Sequence, residues 1–393
     1  MNTLMQGVDA SADRWMDDLI ALRRRIHEHP ELAFEEKETA RQVQEFLTRL
    51  RIPYRSDIGG TGVVAMLEGT KPGPTVAIRA DMDALPMSEP QALPFASKVA
   101  GKMHSCGHDA HTAIALGVAA VLADARAELP GRVMFIFQPA EETLSGARAM
   151  LEAGAFDETK PDFILGFHNW PPLATGTVGW HPEAVMASSD AFDLTIKGTA
   201  GHGAHPHLAI DAIVAAAHFV DQAQTIVSRE IAPISSAVLT IGKIQGGTAR
   251  NIIASSVELQ ASVRTLDDDT ANRVQAAVRR ILEGLKTGMR IDYDLKWTKL
   301  TPVLRNDKPT MARMLGVARE MLGEKNVIEM PSPSMGSEDY AWFAERAKSA
   351  HLRIGSKIEG HETAIHRTDY QLNEAMIPLA TRLMSRAVLE FLR

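Results

Sequence analysis

The sequence predicts an α/β protein, a mostly parallel central sheet flanked by helices, with a second and smaller α+β domain. Three observations predict it. Apolar runs bounded by Gly and Pro alternate with segments of helical periodicity through the first half of the chain. From about Ala187 the order becomes strand, helix, strand, strand, helix, strand, the ferredoxin-like split arrangement. From about Trp297 the helix–strand alternation returns, so the first domain is expected to be discontinuous, 1–186 with 298–393, around an insert at 187–297. A length of 393 residues also suits two domains better than one.

The elements follow in order. Leu19, Ile20, Leu22 and Ile26, then Ala40, Val43, Phe46, Leu47 and Leu50, recur at helical spacing, and Pro30 separates the two stretches. Val63–Leu67 and Thr75–Ile78 read as strands. The second leads into RADMDALPM, which puts Asp81 and Asp83 just past a strand end. Asp109–Ala127 reads as a helix, Arg132–Phe137 as a strand ending in QPAEE, Ser145–Ala153 as a helix, and Asp162–Gly166 as a buried strand ending in FHNWP. Asp81, Asp83, Glu141, Glu142 and His168 therefore share one expected address, the crevice beyond the carboxyl ends of the strands. In the insert, strands are expected at Ala191–Lys197, Ala237–Ile244, Ser255–Arg264 and Arg290–Lys296, with helices at Ile210–Val227 and Thr270–Leu285. The last helix is expected at Glu374–Phe391.

Composition narrows the function classes. Hydrophobic residues make up 45% of the chain, ample for a core, and the net charge of −7 argues against a nucleic-acid partner. The single cysteine excludes an intrachain disulfide framework and fits a reducing, cytoplasmic compartment. MNTLMQGVDASADRW has no basic stretch followed by an apolar run, so no secretory signal is read. The longest apolar run, AIALGVAAVLA from Ala113, is too short to span a bilayer, and no membrane partner is expected.

The chemistry concentrates in MHSCGHDAHT, where Cys106 stands among His104, His108, Asp109 and His111. Thiolate and neutral imidazole are ligands for a divalent ion. The same residues also allow a cysteine nucleophile, with His108 as base and Asp109 to orient it. Glu141 and Glu142 suit a division of labour, one carboxylate holding a metal and the other accepting a proton from water. His168 in FHNWP and His366 in AIHRTD, each taken alone, read as structural or surface histidines. GHGAHPH, Gly201–His207, has no adjacent acid, and a histidine there suits polarising a substrate carbonyl better than holding a metal.

Taken together and in order, RRRIHEHPELAFEE, ADMDALP, MHSCGHDAHT, FQPAEE, GFHNWP, GHGAHPH, GGTARNIIA, GSEDYAWF and AIHRTD resemble the amidohydrolase branch of the aminoacylase and carboxypeptidase G metallopeptidases. The branch includes hippurate hydrolases, N-acyl-L-amino-acid amidohydrolases and indole-acetyl-amino-acid hydrolases. The resemblance runs nearly end to end and implies a zinc-peptidase-like catalytic domain with an inserted lid and dimerisation domain. It implies two divalent ions per subunit, manganese, zinc, nickel or cobalt, with Cys106 between them. His108 and His168 would complete one site, and Glu142 and His366 the other. By the same resemblance Glu141 is the general base, Asp83 tunes a ligand, Asp81 stands where other branches carry a ligand histidine, and His202 and Asn251 reach the substrate. The implied reaction is hydrolysis of an N-acyl amino acid, in a homodimer or dimer-based oligomer. A dipeptidase of the same family and the Cys106–His108 hydrolase remain the alternatives. The chain departs from the family pattern at Ala254 and after His366, where proline is usual; both are loops that shape the substrate pocket.

Overall fold

The computed structural model describes residues 2–90 and 93–393. They form two compact units, Met1–Val185 with Arg305–Ser332 and Asp339–Arg393, and Met186–Leu304 with Pro333–Glu338.

The first unit holds an 8-stranded sheet. Its strands run in the order Tyr54–Ile58, Gly62–Glu68, Pro130–Gln138, Lys71–Asp81, Phe163–Ala174, Lys348–Lys357, Val178–Trp180 and Val327–Glu329. The central strands Pro130–Gln138, Lys71–Asp81, Phe163–Ala174 and Lys348–Lys357 are mutually parallel. Their continuous apolar runs, Val76–Ile78 and Val133–Phe137, are fully buried, as strands covered on both faces require. The His108–Asp124 helix is buried from His108 to Leu122 and packs against the helices Asn2–Glu28 and Met376–Phe391. An apolar surface all round suits such an enclosed position.

Chain order creates the crevice that holds the site. Lys71–Asp81 continues through the His108–Asp124 helix to Pro130–Gln138 on one side, whereas Phe163–Ala174 lies on the other. The two strands pair only from Val76 with Phe163 to Ile78 with Leu165. Beyond that point they part, at the topological switch where open α/β sheets bind ligands. One expectation changes here. The strand expected to stop at Gly166 runs on to Ala174, because Lys348–Lys357 continues to pair with it through His168, Asn169 and Trp170. His168 therefore projects from a strand rather than from the loop after one.

The second unit carries a four-stranded antiparallel sheet in the order Ala237–Gly246, Ser256–Thr265, Ser189–Lys197 and Asp292–Thr301. Helices Ala212–Thr225 and Asp268–Met289 complete the β-α-β-β-α-β sequence. Phe192, Leu194 and Ile196 alternate inward with period two, as do Val257, Leu259, Ala261 and Val263. Each helix starts on an aspartate, since Asp211 accepts from Ile213 and Val214 N–H, and Asp267 from Thr270 N–H. No helix among the described residues is long and apolar enough to cross a membrane.

Candidate metal centre and active site

The site is built where the MHSCGHD turn meets the ends of the parallel strands. Gly107 caps the His108–Asp124 helix with φ +91°. A Cβ there would lie 2.3 Å from Asn169 Nδ2 and 2.5 Å from Tyr370 Oη, so only glycine admits this turn. Asn169 Nδ2–H donates to Cys106 O at 2.5 Å, and Tyr370 O–H donates to Asn169 Oδ1 at 2.9 Å. His366, near the other end of the chain, is tied to the same turn, with its N–H donating to Ser105 O at 2.9 Å. Its φ of +62° is unusual for a non-glycine residue and is held by that bond.

Donor atoms converge on the sulfur. Cys106, His108 and His168 offer ligand atoms within 4.8 Å of one another, and so do Cys106, Glu142 and His366. Cys106 belongs to both groups. Its Sγ lies 3.4 Å from His168 Nε2, and Glu142 Oε2 lies 3.2 Å from His366 Nε2. The tautomers suit ligation. His168 Nδ1–H donates to Asn169 O at 2.6 Å and His108 Nδ1–H donates to Asp83 O at 2.9 Å, so in each ring Nε2 is the nitrogen left toward the cluster. Asp83 also accepts from Glu142 N–H through Oδ2, at 2.9 Å.

The electrostatics call for cations. Asp81, Asp83, Glu141 and Cys106 are buried together, with Glu142 almost so. Burial pushes the Cys106 thiol well up, and Glu142, Glu141 and Asp81 add to the rise. Burial opposes charge on His108, but Asp81, Asp83 and Glu142 outweigh it and hold its imidazolium up to about 10. Burial keeps His168 neutral, well below its ordinary value. His108 Nε2 and Glu142 Oε1 are buried without any hydrogen-bond partner. Orphaned buried donors of this kind, beside an excess of carboxylates and a thiol, fit divalent cations.

Three residues of the opening motif lie outside the two groups that share Cys106, although His111 forms a further group with Asp81 and His108. His111 Nδ1–H donates to Asp81 Oδ1 at 2.6 Å, and His111 Nε2 accepts from Asn169 N–H at 2.9 Å, so both nitrogens are used. Asp81 meets Arg79 as well, at 2.6 Å. Sequence reasoning missed this Arg79–Asp81–His111–Asn169 chain, although the i, i+2 spacing of Arg79 and Asp81 signals one strand face. Asp109 turns away from His108 and takes His27 Nδ1 and Arg23 Nε, each at 2.7 Å. That removes the orienting acid expected for a Cys106–His108–Asp109 nucleophile. His104 is buried with both ring nitrogens unpartnered and lies outside the donor groups.

The Asp109 cluster yields a stability prediction. Burial works against its charge, yet Arg23 and His27 hold the Asp109 carboxyl well below the usual carboxylate range. Burial and Arg23 oppose charge on His27, but Asp109 and Glu89 raise it overall. A depressed carboxylate stabilises the fold above its unfolded pKa of about 3.9, and a raised histidine does so below about 6.5, so the pair contributes most between those values. Asp109→Asn is expected to cost about 3–5 kcal/mol. Urea unfolding at pH 5.5 and above pH 8 checks it. The deficit should shrink as pH rises through the His27 pKa, and a pH-independent loss under about 1 kcal/mol would contradict this account.

His202 and Asn251 lie in the second unit. Gly201–His202 pairs with Ile252–Ile253, and Gly203 N–H donates to Asn251 O at 2.8 Å, so one small ribbon carries both residues. Ala204 N–H donates to His202 Nδ1 at 3.0 Å, which leaves Nε2–H as the donor of an exposed ring.

Comparison with known proteins agrees with this chemistry. The model of the peptidase family M20/M25/M40 matches residues 77–390. An N-acetylcysteine deacetylase of Bacillus subtilis (strain 168) is 40% identical over 369 residues, covering 93% of this chain and 94% of that one. A hippurate hydrolase of Campylobacter jejuni is 35% identical over 372 residues, covering 95% and 96%. The crystal structure of a dinuclear metal-binding peptidase of the M20 family from Bacillus subtilis superposes with a TM-score of 0.82 at 36% identity, covering 96% and 98%.

Proposed function

We propose, since this chain belongs to the peptidase family M20/M25/M40 and is a hydrolase of amide bonds, that it cleaves N-acyl amino acids to a carboxylic acid and a free amino acid at a two-metal centre. One observation carries the reading: a single sulfur, Cys106, is shared by two donor groups, and Glu141 stands beside them without belonging to either. Cys106 would be the ligand common to both ions, with His108 and His168 completing one ligand set and Glu142 and His366 the other. When bound, divalent ions such as manganese, zinc, cobalt or nickel would supply a lowered water pKa and Lewis acidity toward the acyl carbonyl. Asp83 fixes His108 through Nδ1–H and Glu142 through its N–H. Glu141 takes one proton from the attacking water and returns it to the departing nitrogen, so the C–N bond breaks as the amine leaves. His202 donates from Nε2–H to the acyl oxygen as it gains charge, and Asn251 holds the substrate from the same ribbon.

The deacetylase and the hippurate hydrolase differ in the acyl group that their names imply, so the acyl side is where specificity is to be sought. Metal-reconstituted protein is expected to release amino acid from at least one of N-acetyl, N-benzoyl or indole-acetyl amino acids. Mass spectrometry of the released amino acid reads the result; turnover of unblocked dipeptides alone would replace this reading with a dipeptidase. A homodimer through the second unit is also proposed. Its edge strand Ala237–Gly246 exposes Val238 and Ile244, and the neighbouring helix exposes Ile213 and Val214. A monomer by light scattering at assay concentrations would reject it. The lone thiol suits a reducing, cytoplasmic location, which cell fractionation tests.

A further inference from the structure

We infer that Glu36 is a positioning residue for the general base. Its buried carboxylate grips Ala140, the residue before Glu141, and so sets the direction in which Glu141 leaves the backbone. The inference rests on the reading of Glu141 as base. Glu36 belongs to the PELAFEE stretch, for which the mechanism otherwise has no use.

Glu36 is fully buried. Its Oε1 accepts the N–H of Ala140 at 2.9 Å and of Phe34 at 3.0 Å, and its Oε2 accepts the Thr61 hydroxyl at 2.5 Å. Ala140 has φ +52° and Leu144 has φ +54°, so the loop bearing Glu141 and Glu142 is bounded by non-glycine residues in the left-handed region. Such residues persist only where the surroundings over-determine them. Here they do. Ala140 O accepts from Gly146 N–H at 3.1 Å, and Leu144 N–H donates to Glu141 O at 2.7 Å. Gly146 is needed because a Cβ there would lie 1.6 Å from Pro139 O.

Glu141 thus sits between two backbone N–H groups, each held by a buried carboxylate. Glu36 holds Ala140 and Asp83 holds Glu142. Asp83 also touches His108, a proposed ligand, whereas Glu36 belongs to none of the donor groups. Its influence on the reaction therefore runs through backbone geometry. A base displaced by about 1 Å costs on the order of 10²-fold in rate. Reach, not charge, is what the role requires. Glutamine keeps the Oε1 acceptor for Ala140 and Phe34, and its amide can donate to Thr61 Oγ1. Aspartate keeps the charge but is one methylene short.

The test compares Glu36→Gln and Glu36→Asp with Glu141→Gln as reference. The readouts are kcat, KM, metal content and thermal midpoint. Glu36→Asp is expected to lower kcat by on the order of 10²-fold, with KM and metal content near wild type. Glu36→Gln is expected to stay within about 3-fold, because both backbone bonds survive. Wild-type kcat in Glu36→Asp, or a loss in both variants that follows metal content or folding, overturns the inference. If Glu141→Gln is inactive while both Glu36 variants turn over normally, only this inference falls. If Glu141→Gln is active, the base assignment falls, and a kcat loss in Glu36→Asp must then have another cause.

Discussion

Replacing Glu141 by Gln is expected to lower kcat by about 10²–10⁴-fold while bound metal stays at the wild-type level. The amide keeps the shape of the side chain but cannot take a proton from water. Geometry argues that little else would change. Of the two groups that share Cys106, one draws on Glu142 and neither on Glu141, which meets the cluster only beside His108 and Glu142. Glu141 Oε2 stands 3.8 Å from His108 Nε2, close enough to face the same small volume. Glu142→Gln should behave differently, losing metal, because Glu142 Oε2 already meets His366 and its N–H is fixed by Asp83. Two neighbours joined by one peptide bond would then separate into a chemical and a coordinating role. Metal analysis beside steady-state kinetics reads the split. Most of the activity surviving in Glu141→Gln would remove it as base, and a matching loss of metal would make it a ligand.

The parts of the site that could be read in the sequence are those written in short range. The Cys106–His108 spacing, the Glu141–Glu142 pair after an apolar strand and the Asp81–Asp83 alternation all lie within a few residues, where strand and helix periods dictate direction. The period-two runs of the second unit are equally legible, and its β-α-β-β-α-β order is the one observed. Convergence over long separations was not. Nothing local to AIHRTD says that His366 N–H will bond Ser105 O; taken alone it reads as a surface histidine. Asp109 follows His108 directly and looked like its partner, but consecutive helical residues point about 100° apart, and Arg23 and His27 wait on the other side. The end of the His168 strand is likewise set at long range, because pairing to Lys348–Lys357 carries the strand beyond Gly166 and through Pro171 and Pro172 to Ala174. Glu36 carries no local signal either, since a glutamate at a helix start is unremarkable until the Ala140 N–H is found against it.

Cys106→Ser is expected to have the other large effect, lowering metal affinity by more than about 10²-fold and activity with it. Changes that only touch a ligand's partners cost about 10–100-fold, and here one substitution removes an atom from both donor groups. Serine cannot substitute electronically. Burial, Glu142, Glu141 and Asp81 all oppose negative charge at this position, and only a bound cation offsets them. A thiol yields its proton under that influence, whereas an alcohol is far more basic. Proton release supplies the decisive measurement. Without metal, His108 holds its proton up to about 10 and Cys106 keeps its thiol proton, so metal binding at pH 8 must expel both. Calorimetry in buffers of different ionisation enthalpy should count about two protons for the wild type and about one for Cys106→Ser, with affinity rising as pH rises. A cysteine nucleophile would also be lost on this substitution, but it predicts activity that survives a chelator and fails with a thiol alkylator. Metal occupancy and turnover unchanged in Cys106→Ser would take the sulfur out of the centre and leave His108, His168, Glu142 and His366 without a shared ligand.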